Sequence, residues 1–321
     1  MRRYVIRRLL QLIPILIGIT LLSFGMMYLA GGDAVTALLE NQGVAVTQEV
    51  IDAKKHELGL DQPFMVQYLS WFRGLVTGSM GTSYVTGKDV FQTFVSKLPA
   101  TILLTLTSVI ATVVVAVPLG IVAATRQNKF VDYLIRVLSF VGNSLPNFFV
   151  ALLLIFVFAI TLGWLPSISA NIGKTGIAAI SWTGLVLPTA TLAIAMASKY
   201  TRQIRATVLD ELGKPYVAGA RARGVSEGRI LTRSVLKSVM IMLVTLLALS
   251  IGDLLGGTAI VETIFQWDGV GKLAVDSIVM RDYPMIQAYV VWMAIIYVMV
   301  NLVADLLYHY LDPRVRLGGD D

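Results

Sequence analysis

The sequence predicts an all-α membrane protein with six transmembrane helices and both termini in the cytoplasm. Three observations carry that expectation. Of 321 residues, 56% are hydrophobic and only 14% are charged, where ordinary soluble domains carry about a quarter. The apolar residues gather into long charge-free runs, and about 20 such residues are what a helix needs to cross a bilayer core of roughly 30 Å. The 26 Lys and Arg then divide unevenly between the loops that join those runs.

The first span is expected over Leu9–Gly32, behind Arg2, Arg3, Arg7 and Arg8. Those arginines resemble the start of a signal peptide, but the apolar stretch exceeds the usual ~7–15 residues, so a retained anchor is expected. The second span begins near Leu98 and ends at Thr125. The third runs from Val137 to Ser169 with Pro146 inside it. The fourth lies within Thr175–Ser198, the fifth starts after Lys237, and the sixth covers Tyr283–Ala304. Prolines at 14, 118, 146 and 188 fall inside spans, where neighbouring helices can satisfy the freed carbonyls.

Positive charge fixes the orientation. The N-terminus holds 4 Lys and Arg, the 125–136 connection 3, the 199–237 segment 9 and the C-terminus 2, leaving 8 for the longer loops opposite. Basic loops stay in the cytoplasm. The expected organisation is a basic segment and first helix over 1–32, then an extracytoplasmic subdomain over 33–97. A core of five helices follows over 98–310, with the cytoplasmic loop 199–237 inside it, and 311–321 form a cytoplasmic tail. Tyr68, Trp71, Phe72 and Tyr84 mark an amphipathic, interfacial stretch in 33–97.

Catalytic chemistry is not expected. The chain has no Cys and only two His, His56 and His309, which exclude thiolate sites and a zincin motif. Gly173-Lys174-Thr175 resembles the end of a phosphate loop, but Ile168 stands where the motif needs its first glycine. A net charge of +6 on so apolar a chain points to a membrane surface rather than to nucleic acid. Such a protein moves something or holds something.

Two regions carry candidate residues. Tyr216 opens a basic run with Ala218, Gly219, Ala220 and Ala222, interleaved with Arg221 and Arg223 and closed by Gly224. Small side chains admit a close partner and Gly224 permits a sharp exit, although a helix resting on anionic headgroups reads equally well. In the fifth span only Ser238–Gly252 separate Lys237 from Asp253. These residues reach about 22 Å at 1.5 Å each, which leaves the Asp253 carboxylate within membrane depth, on a water-filled path or at an outer rim. A carboxylate there favours a cation, as a transient contact. Glu262, expected beyond a bend at Gly256–Gly257, either lines the path or caps a short helix.

The same loop resembles the coupling motif of ABC-importer permeases, and the resemblance covers nearly the whole chain. Arg7-Arg8-Leu-Leu-Gln-Leu-Ile-Pro14, Leu58-Gly-Leu-Asp-Gln-Pro63, Met80-Gly-Thr-Ser83 and Leu98-Pro-Ala-Thr101 are similar to the dipeptide/oligopeptide/nickel permease family. So are Ser144-Leu-Pro-Asn147, Leu162-Gly-Trp-Leu-Pro166, Gly256-Gly257, Val261-Glu262-Thr-Ile-Phe265, Arg281-Asp-Tyr-Pro284, Asn301-Leu-Val-Ala-Asp305 and Leu311-Asp-Pro-Arg314. Met242 and Asp268 stand where the family usually has proline, and the first change is expected to leave the fifth helix straighter.

The resemblance implies a type I importer fold in a prokaryotic inner (plasma) membrane. It implies a second homologous permease, two cytoplasmic ABC ATPase subunits that hold ATP and Mg²⁺, and an extracytoplasmic binding protein that delivers substrate. This chain itself would bind lipid and no cofactor. Tyr216, Ala218, Gly219, Ala220, Arg221, Arg223 and Gly224 would form the ATPase-coupling segment. Nickel members resemble this chain in carrying an acid at Asp253, so nickel or a nickel chelate is the expected cargo, with di- or oligopeptide as the alternative. A secondary transporter, a channel or a membrane scaffold are the readings from other classes.

Overall fold

The computed structural model describes residues 2–29, 35–36, 39, 47–169 and 181–311. Gly173-Lys174-Thr175, the first residues of the expected fourth span and the tail beyond Leu311 lie outside them. Twelve helices account for most of what is described, and strand pairing among the described residues is limited to one bridge between Thr82 and Asp89. Two compact units are formed. The first takes the described residues of Met1–Thr101 and Asp268–Met299, the second those of Ile102–Ile172, Ala179–Trp267 and Val300–Asp321.

In the first unit, α1 (Arg2–Leu29) exposes Leu10, Ile13, Leu22 and Met26 along its length, as a helix facing lipid tails should. Its other side meets the amphipathic helix α3 (Phe64–Val76), which follows α2 (Gln48–Glu57). Phe24 packs edge-on against Phe64 and Tyr68 at 5.4 and 5.7 Å, and the Tyr68 hydroxyl lies 3.1 Å from Thr20 Oγ1. These aromatic residues therefore bind a span rather than float in a loop.

A buried carboxylate organises the rest of this unit. Asp282 accepts hydrogen bonds from the Ser83 hydroxyl and from the Tyr84 amide at 3.1 Å. Two segments almost 200 residues apart in sequence, Met80–Ser83 and Arg281–Pro284, are thus one structure. Lys97 pairs with Asp268, and the Val270 amide donates to Thr101 Oγ1 at 2.9 Å. The acid at 268, a departure from the family pattern, therefore has a cation waiting on α4 (Val90–Thr125). From there α11 (Val270–Val279) leads to α12 (Tyr283–Leu311).

The second unit departs from the expected spans in two places. The third span is not one helix: α5 (Phe130–Ser144) and α6 (Asn147–Leu154) meet at 106°. Pro146 causes this, because its ring disfavours the helical region for the preceding residue, and Leu145 accordingly sits at ψ 133. A π-helical stretch, Ile155–Thr161, continues α6. The second correction concerns α10 (Leu236–Ile264), which runs without interruption through Gly256–Gly257 as well as through Met242, where a straighter helix was expected. The expected bend is absent because every residue there retains the backbone N–H that a proline would remove.

Among the described residues three helices are long and apolar enough to cross a membrane: Ile6–Leu29, Val90–Thr125 and Tyr283–Val303. The bent α5–α6 pair makes a fourth if it is one broken span. The expected fourth and fifth spans fall in α7 (Trp182–Leu212) and α10, of 31 and 29 residues. The second half of α7 carries Lys199, Arg202, Arg205, Asp210 and Glu211, too many charges for hydrocarbon.

The core of this unit gathers Ala116, Ala124, Tyr200, Ile204, Val208, Val217, Ile230, Val235 and Leu243. Helix α4 approaches α7 closely at Gly120, where a Cβ would come 2.6 Å from Ile204 Cγ2 and 3.1 Å from the Thr201 carbonyl oxygen. One buried ion pair ties α5 to α7. Asp132, fully buried, accepts from Arg205 Nε at 2.7 Å and Nη2 at 2.8 Å, and from the Asn128 amide at 2.9 Å. Removing one partner strands the other, which costs about 3 kcal/mol or more. Asp132→Ala is therefore expected to destabilise the detergent-solubilised protein by about 3 kcal/mol in urea unfolding, and Asp132→Ala/Arg205→Ala by less than the two single changes combined.

Candidate functional site

The basic loop between α7 and α10 is a built structure. Helix α7 ends at Leu212, Gly213 and Lys214 turn the chain, and Pro215 opens α8 (Pro215–Ala222) at its first position, where its missing N–H costs nothing. After α8 come α9 (Glu227–Ile230) and a π-helical stretch, Leu231–Val235, that leads into α10.

Glu211 holds these pieces together. It is 7% exposed and accepts from Lys214 Nζ at 2.5 Å and from the Tyr216 hydroxyl at 2.7 Å. Ser238, in the first turn of α10, lies near enough to lower the carboxyl a little further. Burial pushes the Glu211 carboxyl up, but Lys214, Tyr216 and Ser238 together outweigh it and hold the group below the ordinary glutamate value. The Tyr216 hydroxyl is pushed up to about 12, by burial first and by its bond to Glu211 second.

The short helix has an inner and an outer side. Val217 is fully buried in the core, and Ala220 packs against it. Ala218 is exposed and Gly219 half-exposed. The helix closes in a Schellman motif: the Val225 amide donates to the Ala220 carbonyl at 3.1 Å and the Gly224 amide to Arg221 at 2.9 Å. That closure needs a left-handed residue, and Gly224 supplies it at φ 77. Across the turn Arg221 grips Glu227 with two bonds, of 2.6 and 3.1 Å. Arg223 is exposed and has no carboxylate partner among the described residues.

The seven expected coupling residues therefore lie on one short element, but in different roles. Tyr216 anchors, Ala220 packs inward, Arg221 is spent within the loop, and Gly224 turns the chain. Ala218, Gly219 and Arg223 remain on the outside. Glu211 and Ser238 were not singled out from sequence. The only trace of the latch there is an acid followed three and five positions later by Lys214 and Tyr216.

The two membrane candidates fare differently. Asp253 lies inside α10, with its side chain outside what the structure describes. Glu262 is in the last turn of α10 rather than beyond a bend. It is fully buried and partnered, and its carbonyl accepts from the Trp267 amide at 2.7 Å. Among the described residues no group of three His, Asp or Glu is placed to hold a metal ion.

Comparison with known proteins covers both halves of the chain. Residues 116–317 match the binding-protein-dependent transport system inner membrane component, and residues 1–105 match the N-terminal part of such components. The oligopeptide transport system permease protein AppB of Bacillus subtilis strain 168 is 39% identical, over 98% of this chain and 100% of the relative. The glutathione transport system permease protein GsiC of Escherichia coli K12 is 37% identical, over 98% and 99%. In fold the chain is similar to a structure of the inward-facing MetNI methionine ABC transporter, with TM-score 0.55 and 16% identity over 69% of this chain and 97% of that one. The chain belongs to the family of binding-protein-dependent transport system inner membrane components and is a permease subunit of an ABC importer.

Proposed function

We propose that this chain is the membrane half of a power stroke that imports short peptides. The observation that carries the proposal is α8: a short helix with a small-residue outer side, anchored at its start by Glu211 and sealed at its end by the Gly224 turn. Such an element moves as one body with α7 and α10. Two cytoplasmic ATPases, holding ATP and Mg²⁺, would engage Ala218, Gly219 and Arg223. Their closure would pull Pro215–Val225, tilt α7 and α10, and switch the pore between inward and outward access with a second, homologous permease. An extracytoplasmic binding protein would deliver the cargo. Bistable packing of rigid helices is what such a switch requires. The excess of positive charge in the N-terminus and in 125–136, 199–237 and the tail supports cytoplasmic placement of those segments in an inner membrane.

The peptide reading is supported by relatives named for oligopeptide and glutathione transport, the latter a tripeptide. A nickel chelate is the second reading, and its support is the acid at Asp253 within α10. Glu262, buried in the last turn of α10, serves in this account to hold the outer end of that helix rather than to line the path.

Gly224→Trp forces a bulky side chain into a left-handed conformation, at a cost of about 1–2 kcal/mol. It is expected to leave membrane insertion intact and to abolish substrate-stimulated ATP hydrolysis in the reconstituted complex; normal stimulation would contradict the lever. Tyr216→Phe is expected to cost about 1 kcal/mol in urea unfolding, equally from about pH 6 to 9. Glu211 lies below its ordinary 4.5, so its stabilisation fades only as pH falls through that lowered value. Tyr216 lies above its ordinary 10, so its contribution persists below 10 and fades as pH rises through about 12. Calorimetry of the cognate binding protein should show uptake of heat-releasing di- and tripeptides, with no response to Ni²⁺ chelates; the reverse pattern would establish the nickel reading.

A further inference from the structure

The second unit holds a basic cleft that the import mechanism does not use. Tyr133, Arg136, Val137 and Phe140 recur at one-face helical spacing on α5, and Arg202 and Arg205 share a face of α7. Together they line a cleft of about 460 Å³. We propose that this cleft binds one anionic glycerophospholipid, its phosphodiester held by Arg136 and Arg202 and its acyl chains lying along Val137 and Phe140.

The three arginines differ in availability. Arg205 is committed to Asp132 through two bonds, which neutralises it and fixes its place. Arg136 lies over the Tyr133 ring at 5.5 Å, which orients its guanidinium without cancelling its charge. Arg136 and Arg202 are exposed and neither is in an ion pair among the described residues, although Arg136 acts on Asp132 at longer range. Three guanidinium groups against the single carboxylate of Asp132 leave the cleft with two net positive charges. Guanidinium pairs suit phosphate oxygens by geometry as well as by charge.

The walls select a lipid over a soluble anion. Val137 is 59% exposed and Phe140 65%, and Leu134 and Leu138 on the same helix are exposed as well. A soluble phosphate or an acidic protein surface gains nothing from burying these side chains, whereas an acyl chain does. The cleft joins the 125–136 connection to the 199–237 segment, both read as cytoplasmic from their charge. Anionic headgroups concentrate at that membrane face, and basic clefts between helices are where they settle. The inference depends on this orientation and not on the cargo.

The test is native mass spectrometry of the full-length protein in detergent, titrated separately with short-chain phosphatidylglycerol, short-chain phosphatidylcholine and inorganic phosphate. Phosphatidylglycerol is expected to be retained as a 1:1 adduct, and phosphatidylcholine and phosphate are not. Arg136→Gln/Arg202→Gln should weaken the adduct about thirty-fold, the equivalent of about 1 kcal/mol per arginine. Arg136→Lys/Arg202→Lys should restore most of the loss. Equal retention of phosphatidylcholine, or displacement of phosphatidylglycerol by phosphate at equal concentration, would overturn the proposal, as would an unchanged adduct in the glutamine variant. The comparison of lipids on the unaltered protein decides the matter even where a variant fails to fold. Failure of lipid binding leaves the peptide reading intact, because the coupling segment lies outside the cleft.

Discussion

One buried carboxylate sets what this molecule can do. Glu211, on the last turn of α7, takes donors from the turn that follows and from the start of α8. Burying a charge is costly unless it is paired and hydrogen-bonded, so the end of α7, the turn and the start of α8 are held together around it. Under the proposed lever, a pull on α8 is transmitted at this polar joint as well as through the packing of Val217. Two other buried acids do similar work. Asp132 joins α5 to α7, and Asp282 joins the Met80–Ser83 segment to the head of α12. Apolar helices gain little from associating when lipid is as apolar as they are. Specific polar ties then become the means of fixing one arrangement among many.

Much of this was legible in sequence, and what was not has common causes. Hydropathy located the helices that carry the spans, because charge exclusion over some 20 residues is a strong signal. It misplaced ends where amphipathic residues extend a helix, as at Val90, well before the apolar run begins. Pro146 was visible, but tolerance and breakage of a helix by proline look alike in sequence. Gly256–Gly257 invited a bend that the continuous backbone hydrogen bonding of α10 does not make. Pairings such as Ser83–Asp282 and Lys97–Asp268 were invisible because partners 171 or more residues apart leave no local pattern. The proposed coupling loop was the most readable candidate, since its small residues, its arginines and its terminal glycine are contiguous. Which arginine faces outward was not readable, because the bond between Arg221 and Glu227 depends on the turn between them.

The basic character of the chain also resolves into separate uses. The 199–237 segment carries 9 Lys and Arg against 3 acids, which equals the net charge of the whole protein. Lys214 and Arg221 are consumed in holding the segment's own shape, and Arg205 in tying it to α5. Arg223 stands on the outer side of α8, available to an acidic partner. Arg202 faces a cleft with apolar walls. A loop first read as one docking surface thus divides into an internal scaffold, a tip proposed to meet a protein and a flank proposed to meet lipid.

The chain has no cysteine, which opens a direct test of the proposed lever. A single Ala218→Cys change places a thiol on the exposed side of α8 without touching Glu211, Tyr216 or Gly224. In the assembled importer the account predicts that this thiol cross-links to a cysteine placed in the partner ATPase, and that the cross-linked complex hydrolyses ATP in step with uptake. An importer that transports at full rate while position 218 stays accessible to solvent throughout the ATP cycle would contradict the account.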